Sequence, residues 1–300
     1  MKDGLKFAAI DIGSNAMRLL FMRVIVNSKP IFIKESLMRM PLRLGHDAFR
    51  YGEITQKTAQ KFMSTIKGFN SLIKAYDPID IRACATSAMR SSSNGINLVK
   101  KTMLDTGLDI EIISGKEEAN LIIANHIERI TRPDFYYIHI DVGGGSTEIS
   151  VICNKQVISS KSFSIGSVRL LENKVRKIDW SKMKKWIRKN TSDLDPIIGI
   201  GSGGNINKIL SILGKKKGDK IKVQSLSKTI EKINLLNYKD RIVKLGLRPD
   251  RADVITHAGL IYRNCLVWSG AKNIIVPQVG LPDGIITKLF LDYQKDNKIS

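Results

Sequence analysis

Two short stretches hold the residues whose types and spacing could do chemistry. In Ile140-Asp141-Val142-Gly143-Gly144-Gly145-Ser146-Thr147-Glu148, a strand-like run from Phe135 meets an acidic residue and then three glycines. Alternation resumes as Glu148-Ile149-Ser150-Val151-Ile152, so the glycines sit in a hairpin between two strands. Without Cβ atoms, the loop amides can close around an oxyanion as a phosphate-cradling nest. Asp141 enters the loop and Glu148 leaves it. Two carboxylates beside a phosphate need a cation between, and Mg²⁺ takes one or two carboxylates plus phosphate oxygens. The plain alternative is a glycine-rich turn with a solvated Asp. The second stretch, Ala8-Ala9-Ile10-Asp11-Ile12-Gly13-Ser14-Asn15, has the same grammar of apolar strand, Asp and small-residue turn.

The elements that position these loops repeat as well. Strand-like runs follow each loop, Arg18 to Val26 then Lys29 to Ser36 in one copy, Glu148 to Ile152 then Lys155 to Ser162 in the other. An internal duplication of a βββ meander is therefore expected, and two such halves facing each other would place Asp11 and Asp141 across one cleft. Between the copies, Met40 to Gly45 reads as a loop and Thr55 to Ala75 as a helix with a Thr cap. Ile79 to Ala85 reads as a buried strand ending in Thr86-Ser87-Ala88-Met89-Arg90, hydroxyls and a guanidinium where open α/β sheets bind ligands. Ser114-Gly115-Lys116-Glu117 has capping-box spacing, which gives Glu117 a structural job at a helix start. That helix is expected to run to about Ile130 on a stripe of Ala119, Ile122, Ile123, His126, Ile127 and Ile130. Glu118 borders the stripe, as a general base would, or as a first-turn Glu complementing the helix dipole. Downstream, Gly201-Ser202-Gly203-Gly204-Asn205 joins a buried strand to a helix, which suits a phosphate contact or a simple helix entry. Gly214 to Lys222 reads as a basic loop, Asp250 to Asp253 as the head of a helix, and Gly280-Leu281-Pro282-Asp283-Gly284 as a turn before the last helix.

Composition bounds the rest. Three hundred residues, 43% hydrophobic and 26% charged, suit two globular domains. The apolar runs are strand-length and Met1-Lys2-Asp3-Gly4 leads directly into the first strand, so neither a signal peptide nor a membrane span is expected. Cys84, Cys153 and Cys265 are widely spaced in apolar contexts, which fits reduced thiols of a cytoplasmic protein. Lys and Arg number 49 against 28 Asp and Glu, a net +21 that favours polyanionic partners or marks a solvated basic surface.

In this order and spacing, the motifs at 9–15, 85–90, 113–119, 141–148 and 201–204 resemble the exopolyphosphatase and guanosine pentaphosphate phosphatase family, part of the actin, Hsp70 and sugar-kinase superfamily. The resemblance covers nearly the whole chain. It implies an α/β fold of two ribonuclease-H-like (actin-like ATPase) domains with a duplicated βββαβα core and a central cleft. The expected domains are 1–130 and 131–283, with the last helix, 284–300, packing back on the first. It further implies that Glu118 activates water and that Asp11, Asp141 and Glu148 hold Mg²⁺ or another divalent cation. Gly13, Ser14, Asn15, Arg90, Gly143, Gly144, Gly145 and Ser146 would surround the terminal phosphates, with Gly201, Ser202, Gly203 and Gly204 as a further phosphate contact. Asn120 stands where an Arg is more usual, and Pro282 and Asp283 replace the usual Arg and Glu, which puts contacts from that turn in doubt. The expected activity is hydrolysis of the terminal phosphate of inorganic polyphosphate, with guanosine pentaphosphate as the alternative substrate. A non-catalytic regulator binding polyphosphate or nucleotide is the alternative from another class. No membrane or nucleic-acid partner is required, and pairing into a homodimer is left open.

Overall fold

The structure, a computed structural model, describes residues 4–124 and 131–297. The chain divides into two compact units, Met1–Asn125 with Leu281–Ser300, and His126–Gly280.

In the first unit, β1 (Leu5–Ile12), β2 (Met17–Ile25) and β3 (Ile31–Met40) form an antiparallel meander. Strands β4 (Asp80–Ala85) and β5 (Ile110–Ile112) extend the sheet in parallel with β1, in the order β3-β2-β1-β4-β5. The second unit repeats the plan with β6 (Tyr136–Val142), β7 (Thr147–Cys153), β8 (Gln156–Phe163), β9 (Ile197–Ser202) and β11 (Asn273–Ile275). A short edge strand β10 (Lys220–Lys222) is added, giving the order β10-β11-β9-β6-β7-β8. The duplicated α/β architecture is thus as expected. The central strands β1 and β6 read as near-continuous apolar runs because both faces are covered.

One face of the first sheet carries Phe7, Ala9, Leu20 and Met22 against Ile285, Ile286, Leu289 and Phe290 of the helix Leu281–Asp296. Phe290 stands edge-on to Phe7 and Phe32, with ring centroids 6.2 and 5.6 Å apart. The helix Gly115–Ala124 joins this core through Leu121 and Ile122. Its expected stripe is buried at Ala119, Ile122 and Ile123, while His126, Ile127 and Ile130 lie outside the described residues.

Several local expectations are corrected. Leu44–Arg50 is a helix, entered through Arg43 in the left-handed region with no side-chain cap, so no cap residue announced it. The Lys220–Lys222 end of the expected basic loop is a strand, paired antiparallel with β11. Leu281 to Gly284 forms the first turn of the last helix, where Pro282 is tolerated because first-turn amides lack intrahelical partners. Pro249–Ala252 is a separate helical turn ahead of the helix Ile255–Ser269. Among the described residues, no helix is long and apolar enough to cross a membrane. The three cysteines are free thiols; Cys84 and Cys265 are buried, and burial pushes the Cys84 thiol up to about 12.

Candidate active site

Each sheet carries an aspartate one residue before the end of its first strand in sequence, Asp11 on β1 and Asp141 on β6. In the second unit Asp141 on β6 lies opposite Glu148 on β7, Glu148 lies opposite Ser162 on β8, and Ser202 on β9 lies beside Asp141. Directly paired residues share a sheet face, with Cβ atoms about 5 Å apart, so Ser162, Glu148, Asp141 and Ser202 form one row. Ser162 donates to Glu148 at 2.7 Å, and Ser202 Oγ meets His139 Nε2 at 2.7 Å one step lower on the same face. The corresponding row in the first unit is Arg39, Arg18, Asp11 and Cys84. Here the residue opposite the Asp is a cation: Arg18 donates to Asp11 in an ion pair. Burial pushes the Asp11 carboxyl up from its ordinary range, and the Arg18 guanidinium pulls it down. The duplication therefore places Arg18 at one strand end and Glu148 at the other.

The loops close alike. The Gly13 amide donates to Ala16 O at 3.2 Å and the Gly143 amide to Ser146 O at 3.0 Å. Beyond each meander a short helix docks its backbone onto the loop. Gly143 O accepts from the Ser167 amide, Gly144 O from the amides of Val168 and Arg169, and Gly145 O from Arg169 Nε, all at 2.8–3.0 Å. A trans peptide is planar, with its N–H opposite its C=O. With these carbonyls turned toward the helix Ser167–Leu171, the N–H groups of Gly144, Gly145 and Ser146 point the other way. Ser14 O accepts from the Gly45 amide at 2.7 Å and Asn15 O from the Arg43 amide at 3.1 Å, which turns the Asn15 and Ala16 N–H groups in the same manner. None of Gly143, Gly144 and Gly145 has positive φ, so their value here is close approach, not left-handed backbone. A Cβ on Gly166 would run into the backbone of Gly144 and Gly145.

Gly201 and Ser202 end β9, and Gly204 begins the helix Gly204–Ile212. Gly203 between them has φ +104°, and a Cβ there would stand 3.0 Å from Asp141 Oδ1, so glycine is needed on both counts. Tyr262 fastens the two strand ends: its Oη accepts from the Val142 amide at 3.2 Å and donates to Ser202 O. Burial, then the charge of Asp141, raises the phenol well above its ordinary range, so it stays protonated. Sequence reasoning missed Tyr262, which reads as one more core position of its helix.

In the first unit Ser14 Oγ meets Ser87 Oγ at 2.8 Å, and Thr86 caps the end of β1 through Ile12 O. Arg90 donates to Ile113 O and stands 3.7 Å from the Glu118 carboxylate. Glu118 is buried in the first turn of Gly115–Ala124. Glu117 departs from its expected task. Its amide donates to the capping Ser114 Oγ at 3.1 Å, but its carboxylate accepts from Arg82 Nη2 at 2.6 Å, because β4 brings a guanidinium already held by Glu111 within reach. This partly exposed pair is worth about 0.2–1 kcal/mol. Glu117→Gln should therefore lower stability by no more than about 1 kcal/mol in a urea melt and keep the rate within about twofold.

Asp11, Gly13, Ser14, Asn15, Arg90 and Glu118 thus belong to the first unit, and the remaining expected site residues to the second. Among the described residues, no group of three or more His, Cys, Asp or Glu side chains is assembled to hold a metal ion. The expected three-carboxylate set is not gathered within either unit, since Asp11 belongs to the other unit and pairs with Arg18. The opposed pair Asp141 and Glu148 fits Mg²⁺, which needs only one or two carboxylates when phosphate and water complete its shell.

Comparison with known proteins adds to this geometry. Residues 37–292 match the model of the Ppx/GppA phosphatase family. A bifunctional 3-dehydroquinate synthase/phosphatase of Fusobacterium nucleatum is 30% identical over 304 aligned residues, covering 92% of this chain but only 45% of that protein. Exopolyphosphatase 1 of Mycobacterium leprae is 21% identical, with 97% of this chain and 91% of that protein covered. Among solved structures, an exopolyphosphatase from Cytophaga hutchinsonii superposes with TM-score 0.83 at 22% identity, covering 96% of this chain and 98% of that one. A family member from Aquifex aeolicus gives 0.75 at 22% identity with the same coverage. At these identities the structural likeness is one of fold.

Proposed function

Because the chain belongs to the Ppx/GppA phosphatase family, we propose that it is an exopolyphosphatase, hydrolysing the terminal phosphate of inorganic polyphosphate to orthophosphate. The observation that carries this reading is the strand-end row of the second unit. Three amides turned outward from the Gly144–Ser146 loop suit a phosphoryl group, and beside them two opposed carboxylates suit a divalent cation.

The roles follow from the chemistry. Phosphoryl transfer asks mainly for positioning and charge stabilisation. Asp141 and Glu148 would hold the cation, which supplies Lewis-acid neutralisation of phosphate oxygens. The loop amides would orient the terminal phosphoryl, and Tyr262 would keep the ends of β6 and β9 in register beneath it. Glu118 is the general base: it takes a proton from water as the water oxygen bonds to the terminal phosphorus. The phosphoanhydride bond breaks, and the shortened chain leaves with the bridging oxygen and its electron pair. Arg90 stands beside Glu118 to carry charge during this exchange.

The reading is tested by orthophosphate release from polyphosphate, guanosine pentaphosphate and ATP assayed side by side. Fastest release from polyphosphate is expected. Hydrolysis of the guanosine compound alone would reassign the substrate, and binding without any release would make the chain a regulator.

Charge favours the polymer. The second unit holds 28 Lys and Arg against 13 Asp and Glu across residues 126–280, a net +15 out of the +21 of the whole chain. Lys215, Lys216, Lys217, Lys220, Lys222 and Lys272 are exposed along the β10 edge, where Asp219 is spent on closing the turn at the Lys216 amide. A linear polyanion along basic groups releases counterions, so polyphosphate affinity should fall with a log–log salt slope of several units, and the compact guanosine compound with a shallower one. Replacing Lys215, Lys216 and Lys217 by Gln should flatten the polymer slope by about one to three units. An unchanged slope in titrations over 50–200 mM salt would remove this edge from the polymer's path.

A further inference from the structure

The contact between the last helix and the helix carrying Glu118 is closer than any side chain allows. Gly284 lies in the first turn of Leu281–Asp296, and a Cβ there would overlap the backbone carbonyl of Leu121 and stand 3.2 Å from the Ile122 amide. The obstacle is backbone, so no rotamer change relieves it. Leu121 follows Glu118 by three residues, about one turn along the same helix.

We propose that Gly284 is a positioning residue: by letting the last helix seat directly on the Leu121 peptide, it sets where Glu118 stands. The inference rests on the reading of Glu118 as general base. The seat is firm on the Gly284 side. Leu281, Pro282, Ile285 and Ile286 are buried, Phe290 is fixed against Phe7 and Phe32, and the Asp283 carboxylate is ion-paired to Lys34 of β3. It is firm on the other side too, where Ala119, Ile122 and Ile123 are buried and Glu117 is held by Arg82. A helix moves as a rigid element over three residues, so displacement at Leu121 is carried to Glu118. Making room for a methyl group needs about 1 Å of separation, and a misplacement of that size can cost about 10²-fold in rate. The Pro282 and Asp283 departures belong to the same device, because Asp283 anchors the turn that presents Gly284.

The test compares three glycine-to-alanine exchanges in helices of the full chain. Gly284→Ala is expected to lower kcat about 10²-fold with KM within about threefold, and to speed amide hydrogen exchange in residues 115–124. Gly68→Ala, in the helix Gln56–Tyr76 where a Cβ meets open space, should leave both unchanged. Gly259→Ala, whose Cβ would stand 3.0 Å from the Ile230 side chain in the second unit, should lower thermal stability while kcat per folded molecule is kept. Should Gly284→Ala fold too poorly to assay, Asp283→Asn removes the anchor without adding bulk. It should lower kcat about three- to tenfold at unchanged KM. If Glu118→Gln is inactive while Gly284→Ala keeps kcat within threefold, or Asp283→Asn keeps it in full, the inference is overturned and the base assignment stands. If Glu118→Gln is active, the base assignment falls first, and the Gly284 contact is packing alone.

Discussion

Glu118→Gln should lower phosphate release by about 10²–10⁴-fold, the usual worth of a general base. The amide keeps the size and shape of the side chain but cannot take the proton of water. The Arg90 guanidinium beside it can face an amide oxygen as it faces the carboxylate, so the fold should hold. Glu117 is the internal control. It is adjacent in sequence but occupied by Arg82, and its exchange should be nearly silent in rate. The measurement is steady-state orthophosphate release for both variants beside thermal melts. An inactive Glu117→Gln beside an active Glu118→Gln would reverse the assignment of the pair.

The second large effect concerns the opposed carboxylates. Exhaustive removal of divalent cations is expected to stop turnover, because Asp141 and Glu148 would otherwise confront the phosphate with like charge. Like charges directly opposite on a sheet also destabilise, by about 0.2–1 kcal/mol. Glu148→Gln should therefore be inactive yet slightly more stable than the parent in chelator, with Ser162 still able to donate to the amide oxygen. Added Mg²⁺ should raise the parent's stability, by about 2.7 kcal/mol at a hundredfold excess over Kd, and move Glu148→Gln far less. Full turnover of the chelated parent, or an undiminished Mg²⁺ response in Glu148→Gln, would remove these carboxylates from metal binding.

Much of this was legible from local pattern. The two Asp-terminated strands and their small-residue loops stood out because period-2 alternation and glycine clusters are short-range signals. Even the Arg18–Glu148 asymmetry follows from counting outward across each four-residue turn, since the hairpin register places residue 18 opposite 11 and 148 opposite 141. What escaped depends on partners distant in sequence. Glu117 satisfied a local capping rule, but Arg82 competes for its carboxylate from 35 residues away. The helix Leu44–Arg50 has no cap because its first turn is organised by the carbonyl oxygens of Ser14 and Asn15. Gly284 looked like a turn glycine, and only the presence of Leu121 beside it gives it another meaning.

The first unit is discontinuous in the chain, and that bears on how it comes into being. Its core includes Phe290, and its helix Gly115–Ala124 is seated on Gly284, yet residues 126–280 of the other unit lie between. A ribosome adding about 5–20 residues per second needs roughly 8–30 s to cross that interval. Throughout it, the face of β1 that carries Phe7 and Ala9 waits without its closing helix. The nascent first unit must therefore keep apolar surface exposed, and the seat of Gly115–Ala124 on Gly284 is completed only when Leu281–Asp296 arrives.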